Sequence, residues 1–403
     1  MPIYNELWRA AGFSPKHFRS INDLALLPIV SKGDFKRFQL QNNDFAQNID
    51  KKRFVGGVTS GSTGEPFRFF LDSAYIAEKF VLGKRIWRWA NTNVYAPKVL
   101  CAPKSAQNYY PNLLYFDLGL LQKNKLKYID IIRKTNTRCI FGTPIMTLDF
   151  LQTIKEKAPE ITFDVAVLGG HAVAPGLRAY LKKEFNCETF EFYASGETRM
   201  IGIECEKHSA LHLQENIIVE IVGADGNPLP DGTLGKIIVT TLSNKVMPFI
   251  RYELGDVGAI IAERCSCGRT SKRILVEGRT NEPLMLRPDG ESIAPSSLRD
   301  ILDKYFTYFE RYQLVQAGFK TFTLHIVPTP QYSSKIGHKI IAKMRAGALG
   351  AAKLIIKIEK KITPLPSGKF KYFVSNLRED KLSQKFFEPE KIEKRLEKFN
   401  LKS

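Results

Sequence analysis

Between residues 99 and 185, short apolar runs alternate with stretches of helical length. Val99-Leu100-Cys101, Cys139-Ile140-Phe141 and Val165-Ala166-Val167-Leu168 are separated by segments such as Thr147–Glu156 and Gly176–Phe185. Strand–helix–strand alternation of this kind predicts βαβ units and parallel sheet. The pattern does not hold over the whole chain. Residues 1–55 read as helical and irregular, with Ser31 a helix cap ahead of Lys32-Gly33-Asp34-Phe35. Phe54–Val58 is a short strand, and residues 67–71 are the strand that returns from the loop after it. Residues 73–90 place Ile76, Phe80, Ile86, Trp87 and Trp89 at helical spacing. From about residue 212 the chain becomes strand-rich, with Ile217–Val222, Leu234–Thr240 and Val257–Ala262 joined through turns at Asp225-Gly226 and Asp231-Gly232.

The expected fold class is therefore α/β. A large N-terminal domain, residues 1–278, combines mixed parallel sheets and helices with a β-rich sub-lobe over about 212–277. A hinge follows at 279–281, and residues 282–403 form a small α+β C-terminal domain with a charged, solvated tail. With 403 residues, 44% of them hydrophobic, the chain has ample material for two cores. No run approaches the ~20 apolar residues that span a bilayer. The first residues show no basic region followed by an apolar one, so the expectation is a cytoplasmic protein with no transmembrane segment. The net charge of +19 is spread along the chain and forms no stripe interleaved with aromatics. A solvated cationic surface that helps to steer anions accounts for it. Charge alone motivates a nucleic-acid partner, and none is expected.

Cys101, Cys139 and Cys187 are isolated in apolar or helical contexts and read as reduced, buried small hydrophobes. The other three differ. Cys205-Glu206-Lys207-His208 and Cys265-Ser266-Cys267 form a C-x2-H…C-x-C set on two turns. Thiolate and imidazole ligands in that number fit a closed, tetrahedral, structural Zn²⁺ site. The expected ligands are Cys205, His208, Cys265 and Cys267, with His212 as the rival to His208.

Thr59-Ser60-Gly61-Ser62-Thr63-Gly64-Glu65-Pro66 follows a strand. Its glycines let backbone N–H groups wrap an anion, and its hydroxyls add donors. No Gly-Lys-Ser/Thr follows, so this is not a Walker A loop. Further blocks come in order: Phe141-Gly142-Thr143-Pro144, Leu168-Gly169-Gly170-His171, Phe192-Tyr193-Ala194-Ser195-Gly196-Glu197, Phe249-Ile250-Arg251-Tyr252-Glu253-Leu254-Gly255-Asp256, Glu277-Gly278-Arg279-Thr280-Asn281-Glu282, and Thr363-Pro364-Leu365-Pro366-Ser367-Gly368-Lys369-Phe370-Lys371. A carboxylate such as Asp256 can accept from both hydroxyls of a vicinal diol. A lone Glu beside phosphates suffices for Mg²⁺.

In this order and spacing the blocks resemble the adenylate-forming superfamily of acyl-CoA synthetases, adenylation domains and luciferases. The likeness is strongest to its phenylacetate-CoA ligase branch, which includes CapK-like proteins associated with capsular polysaccharide synthesis. The resemblance implies a mobile C-terminal domain. It also implies that Thr59, Ser60, Gly61, Ser62, Thr63 and Gly64 cradle the ATP phosphates. Gly170, His171, Tyr193, Ala194, Ser195 and Gly196 would surround the nucleotide, with Tyr193 stacked on adenine. Asp256 would take the ribose, Arg279 would reach the nucleotide, Glu197 would hold Mg²⁺, and Lys369 would be the catalytic lysine.

The implied activity is ATP-dependent conversion of a carboxylic or amino acid to its acyl-AMP, with release of pyrophosphate. Transfer to an acceptor follows: the thiol of CoA, or, as a CapK-like alternative, an amine or sugar in surface polysaccharide biosynthesis. The chain departs from the family at Phe67, where a lysine is usual, at Ala194 and Gly196, where Gly and Thr are usual, and at Asn281. Those departures make a catalytically inactive nucleotide-binding homologue the competing expectation. The acid and the oligomeric state, a homodimer included, stay open.

Overall fold

The computed structural model describes residues 1–42, 54–59, 67–102, 114–115, 128–170, 173, 175–279, 285–288, 292–293, 298, 301–318, 320–363 and 372–376. It is a mixed α/β protein. Helix α1 (Pro2–Ala10) begins with Pro2 in its first turn, where the missing N–H costs nothing. Helix α2 (Lys32–Gln41) is capped by Ser31 through a complete capping box with Asp34. Strands β1 (Phe54–Thr59) and β2 (Phe67–Asp72) form an antiparallel hairpin in which Thr59 pairs with Phe67. The helical spacing over residues 73–90 resolves into α3 (Ser73–Gly83) and a short helix, Arg85–Trp89.

The alternating region forms as its periodicity predicts. Strands β3 (Lys98–Cys101), β4 (Leu114–Tyr115), β5 (Cys139–Gly142) and β6 (Val165–Gly169) are parallel, in the order β4-β3-β5-β6. β3, β5 and β6 are buried at every position, as strands covered on both faces must be. Helices Pro144–Lys157 and Pro175–Phe185 lie in the connections. The strand-rich region contributes β7 (Glu188–Ser195), β8 (Arg199–Glu204), β9 (Leu211–Leu213), β10 (Ile217–Val222), β11 (Gly235–Thr241), β12 (Tyr252–Ile261) and β13 (Arg273–Arg279). They pair antiparallel in the order β10-β11-β12-β13-β9-β8-β7. β12 starts five residues ahead of the expected Val257, so Asp256 lies within a strand and not in a turn.

The chain divides into two compact units. One takes in Met1–Val94 and Phe192–Thr280, and the other Tyr95–Glu191 and Asn281–Glu388. The first holds the β1–β2 hairpin and the antiparallel strands around an aromatic core that includes Phe35, Phe67, Phe69, Phe249 and Tyr252. The second holds the parallel strands together with a C-terminal sheet of β16 (Phe309–Gly318), β17 (Thr321–Pro328), β18 (Lys353–Ile358) and β19 (Phe373–Ser375), ordered β18-β17-β16-β19. Two further short strands, β14 (Met285–Leu286) and β15 (Ser292–Ile293), precede that sheet. Its apolar core runs without a break from Ile140, Ala166 and Leu168 to Leu314, Phe322 and Phe373. Arg311 on β16 also forms an ion pair with the half-buried Asp149 at 2.5 Å. No helix among the described residues is long and apolar enough to cross a membrane.

Candidate functional site

Among the described residues, the unit containing the N-terminus carries most of the predicted nucleotide-binding positions, on β7, on the β7–β8 turn and on β12–β13. Tyr193 stands on β7, and its hydroxyl donates to Asp256 Oδ2 at 2.6 Å. Asp256 is buried on β12 and lies directly across from Arg279 on β13. A register shift follows at Val257–Gly258, the kind of bulge that re-aims a neighbouring side chain. The expected adenine platform and the expected ribose acceptor are thus joined by one charge-assisted hydrogen bond, worth about 1.5–3 kcal/mol net. The second carboxylate oxygen is not used by that bond.

Glu197 lies in the turn from β7 to β8 and is only 4% exposed. A carboxylate so enclosed needs compensation. The Tyr252 hydroxyl donates to Oε1 at 3.1 Å, and the ammonium of Lys32 lies 3.0 Å from the same oxygen. The turn itself is tied down locally. The Ser195 hydroxyl accepts from the Thr198 N–H at 2.9 Å and contacts the Thr198 hydroxyl at 2.9 Å. Ser195 is therefore committed to shaping the turn, which Ala194 and Gly196 flank on either side of it.

Helix α3 secures the turn from below. The Tyr75 hydroxyl donates to the Thr198 carbonyl at 2.7 Å, and the Lys79 ammonium to the Met200 carbonyl at 3.1 Å and the Asn216 side chain at 2.6 Å. Burial of Lys79 pulls its pKa down to about 7. Because α3 follows directly on β2, the glycine-rich hairpin and the Glu197 turn share one support.

Arg251, within the Arg-Tyr-x-x-Gly-Asp block, has a structural task. It is 2% exposed, adopts φ +45°, and donates to the carbonyls of Ala25, Leu27 and Gly226. It pairs with Glu220 at 3.2 Å. These bonds fasten the segment before α2 onto the start of β12. The same seam is closed by Val30, which bridges Tyr252 in parallel.

In the other unit, Gly142-Thr143-Pro144 and Gly169-Gly170 end the adjacent parallel strands β5 and β6. A Cβ on Gly142 would lie 2.1 Å from the Cys101 carbonyl oxygen, so only glycine fits there. Gly170 has φ +81°. Ligands of parallel α/β sheets bind beyond such carboxyl ends. Ser60, Gly61, Ser62, Thr63, Gly64, His171 and Lys369 lie outside the described residues, as do the side chains of Thr59 and Arg279.

The thiol–imidazole cluster belongs to the first unit. The ligand atoms of Cys205, His212, Cys265 and Cys267 all lie within 4.8 Å of one another. Cys205 and Cys265 sulfurs are 3.7 Å apart, and Cys267 Sγ lies 3.4 Å from His212 Nε2. His212 Nδ1 meets the Ser271 hydroxyl at 3.0 Å, which leaves Nε2 facing the thiols. His208 is not in the group; its Nδ1 lies 3.4 Å from Glu204. The reason is the geometry of the turns. Cys205 opens one closed by the His208 N–H on the Cys205 carbonyl, and Cys265 opens one closed the same way by Gly268. His208, at φ +49°, occupies the left-handed position that Gly268 fills at +80°. A residue so placed closes the knuckle instead of pointing into it. His212, on β9 opposite Arg273, points inward.

Burial lowers the His212 pKa, which keeps the imidazole neutral. At Cys265 burial resists ionisation, but hydrogen bonds, foremost from the Cys267 N–H and Ser209, outweigh it and hold the thiol down to about 7. Burial raises the Cys205 thiol above its ordinary value. Arg269 bonds both carboxylate oxygens of Glu206, tying the two knuckles together.

No family model matches the chain. It is similar to the phenylacetate-coenzyme A ligase of Thermus thermophilus, at 24% identity over 339 residues, covering 78% of this chain and 74% of that protein. The phenylacetate-coenzyme A ligase of Escherichia coli matches at 24% over 346 residues, with the same coverage. Among solved structures, 2-hydroxyisobutyryl-CoA ligase in its postadenylation state with R3-HIB-AMP superposes at a TM-score of 0.76 and 16% identity, over 99% of this chain and 88% of that one. The O-succinylbenzoate coenzyme A synthetase of Bacillus subtilis in complex with AMP superposes at 0.54 and 16%, over 79% and 67%. These structural likenesses establish the fold.

Proposed function

We propose, from the premise that the chain is an adenylate-forming acid–thiol ligase of the phenylacetate-CoA ligase-like branch, that it activates a small carboxylic acid at Tyr193, Glu197 and Asp256 and passes the acyl group to the thiol of CoA. The observation that carries this reading is the hydrogen bond from Tyr193 to Asp256, in a unit where Glu197 is held enclosed between Lys32 and Tyr252. Base, ribose and phosphate positions are then supplied by residues that the motifs name in order.

In the first half-reaction a carboxylate oxygen of the acid attacks the α-phosphorus of ATP. The bond from that phosphorus to the β-phosphate bridging oxygen breaks, and pyrophosphate leaves. Little covalent work falls to the protein; positioning and charge stabilisation supply the rate. Tyr193 offers its ring face to the adenine while its hydroxyl stays on Asp256. Asp256 accepts from the ribose hydroxyls. Mg²⁺ suits Glu197, a fixed carboxylate beside the hairpin that presents the phosphate loop, and would offset charge on the phosphates. Residues 59–64 and Gly170-His171 complete the nucleotide contacts in this reading. Lys369, from the 282–403 segment, would approach the carboxylate and α-phosphate. In the second half-reaction the CoA sulfur attacks the acyl carbon and AMP leaves.

The donor set at Cys205, His212, Cys265 and Cys267 fits Zn²⁺ in a closed structural site. Three thiols and one neutral imidazole match its preferred coordination, with no position left open for chemistry.

ATP–pyrophosphate exchange across a panel of carboxylic and amino acids tests the first step, and AMP release with and without CoA tests the second. Exchange with an acid and CoA-dependent AMP release are expected. AMP release that needs an amine or sugar and ignores CoA would favour CapK-like transfer instead. A chain that binds ATP yet exchanges with no acid would be an inactive homologue.

A further inference from the structure

The partner of Glu197 is a lysine that no motif marks. Lys32 Nζ lies 3.0 Å from Glu197 Oε1, and the lysine side chain remains about one-third exposed while the glutamate is nearly sealed. The same ammonium lies 5.8 Å from the ring centroid of Phe67. Phe67 is where the glycine-rich segment rejoins the sheet, and it pairs across the hairpin with Thr59, where that segment leaves. The ammonium is thus near the base of the loop and touches the carboxylate assigned to Mg²⁺. From Thr59 to Phe67 the sequence contains no lysine or arginine, and it carries Glu65. A loop that must wrap a polyphosphate therefore brings a negative charge and no cation of its own.

The support beneath Lys32 is unusually firm for a surface lysine. Val30 is bridged to Tyr252, the residue whose hydroxyl also holds Glu197. Ser31 is locked by its capping box with Asp34. Phe35, one turn on, packs its ring 5.9 Å from Phe67 and 5.8 Å from Tyr252. Lys32 opens the ten-residue helix α2, whose N-terminal partial charge adds to that of the ammonium.

We propose that Lys32 binds the β,γ-phosphates of ATP and the departing pyrophosphate, supplying from α2 the cation that the glycine-rich loop lacks. Its bridge to Glu197 keeps the ammonium in place in the free chain. The proposal rests on the adenylation reading given above, and it adds a residue that the motifs do not.

Calorimetric titration of the full chain with Mg·ATP and, separately, with AMP tests it, on the parent, Lys32→Ala and Lys32→Arg. Removing a charge-assisted contact to phosphate is expected to weaken ATP about tenfold or more. AMP, which lacks the β- and γ-phosphates, should bind within twofold of the parent and so reports that the fold is intact. Lys32→Arg should recover most of the ATP affinity. The KM for pyrophosphate in exchange should rise with loss of the ammonium. Equal weakening of ATP and AMP would make Lys32 a structural partner of Glu197 only, and unaltered ATP affinity would remove it from the site; either result overturns the proposal while leaving the adenylation reading intact. A parent chain that binds no ATP would overturn both.

Discussion

The thiol–imidazole cluster and the Glu197 pocket lie in the same unit and are built by opposite means. At the cluster, four donors of the right chemical type converge, and the surrounding polar groups, Ser271, Ser209 and the Arg269–Glu206 pair, merely orient them. At Glu197 a single predicted residue is present, and everything that makes it usable comes from other elements: Lys32 from α2, Tyr252 from β12, Tyr75 and Lys79 from α3. A chelate is a set of like contributions around one point. The Glu197 turn is a backbone shape with a charge on it, and its support is distributed. Damage should therefore appear as lost stability in the first and lost chemistry in the second.

Cys265→Ser should give the largest effect. It removes one of the four clustered donors, so metal content should fall from about one equivalent to none. Stability should drop by about 3 kcal/mol or more, lowering the unfolding midpoint by roughly 6–12 °C. Metal analysis with a thermal melt checks it. A melt unmoved by the loss of metal would erase the contrast between the two regions.

Glu197→Gln should do the reverse. The shape is kept and the charge removed, so exchange should slow by about a hundredfold while the melt shifts by no more than about 2 °C. A large stability loss here would show that the Glu197 contacts hold the fold together.

Lys79→Met addresses the distributed support through pH. The folded pKa is near 7, and an unfolded lysine titrates near 10.4. Between those values the unfolded chain binds more protons, so this group's contribution to stability improves as pH rises from about 7 to about 10. Below 7 the burial penalty is present in full. Denaturant midpoints of parent and variant at pH 6.5 and 9.5 should differ, with the parent gaining on the variant at the higher pH. A constant difference would mean that the buried ammonium does not titrate there.

The smallest effect is expected for His208→Gly. Glycine suits φ +49° better than histidine does, so metal content should be unchanged and stability equal or higher by up to about 1 kcal/mol. Loss of metal in this variant, with retention in His212→Ala, would reverse the ligand assignment.

Local pattern settled a good deal. The short apolar runs at Val99, Cys139 and Val165, alternating with helical stretches, pointed to parallel strands, and they form the parallel set. Ser31 caps α2 because its hydroxyl and the Asp34 carboxylate lie within reach along a single turn. Tyr193, Glu197 and Asp256 were singled out because the blocks keep their order and spacing along the chain, and Tyr193 and Asp256 meet in one hydrogen bond. These are properties of neighbours in sequence, and periodicity and short-range hydrogen bonding encode them.

Tertiary structure alone decided the rest. C-x2-H offered His208 with His212 as its rival, and the fold separates them: the left-handed turn that closes the knuckle turns His208 away, while His212 on β9 joins the three thiols. Nothing near Lys32 hints that its ammonium rests on Glu197, and nothing in the Arg-Tyr-x-x-Gly-Asp block says that Arg251 braces the N-terminal segment while Tyr252 donates to that same carboxylate. The reason is physical. Sequence spacing fixes which face of a helix or strand a side chain occupies, whereas the partner it meets is fixed by how the folded elements pack. A buried charge is stabilised by whatever that packing brings within about 3 Å of it.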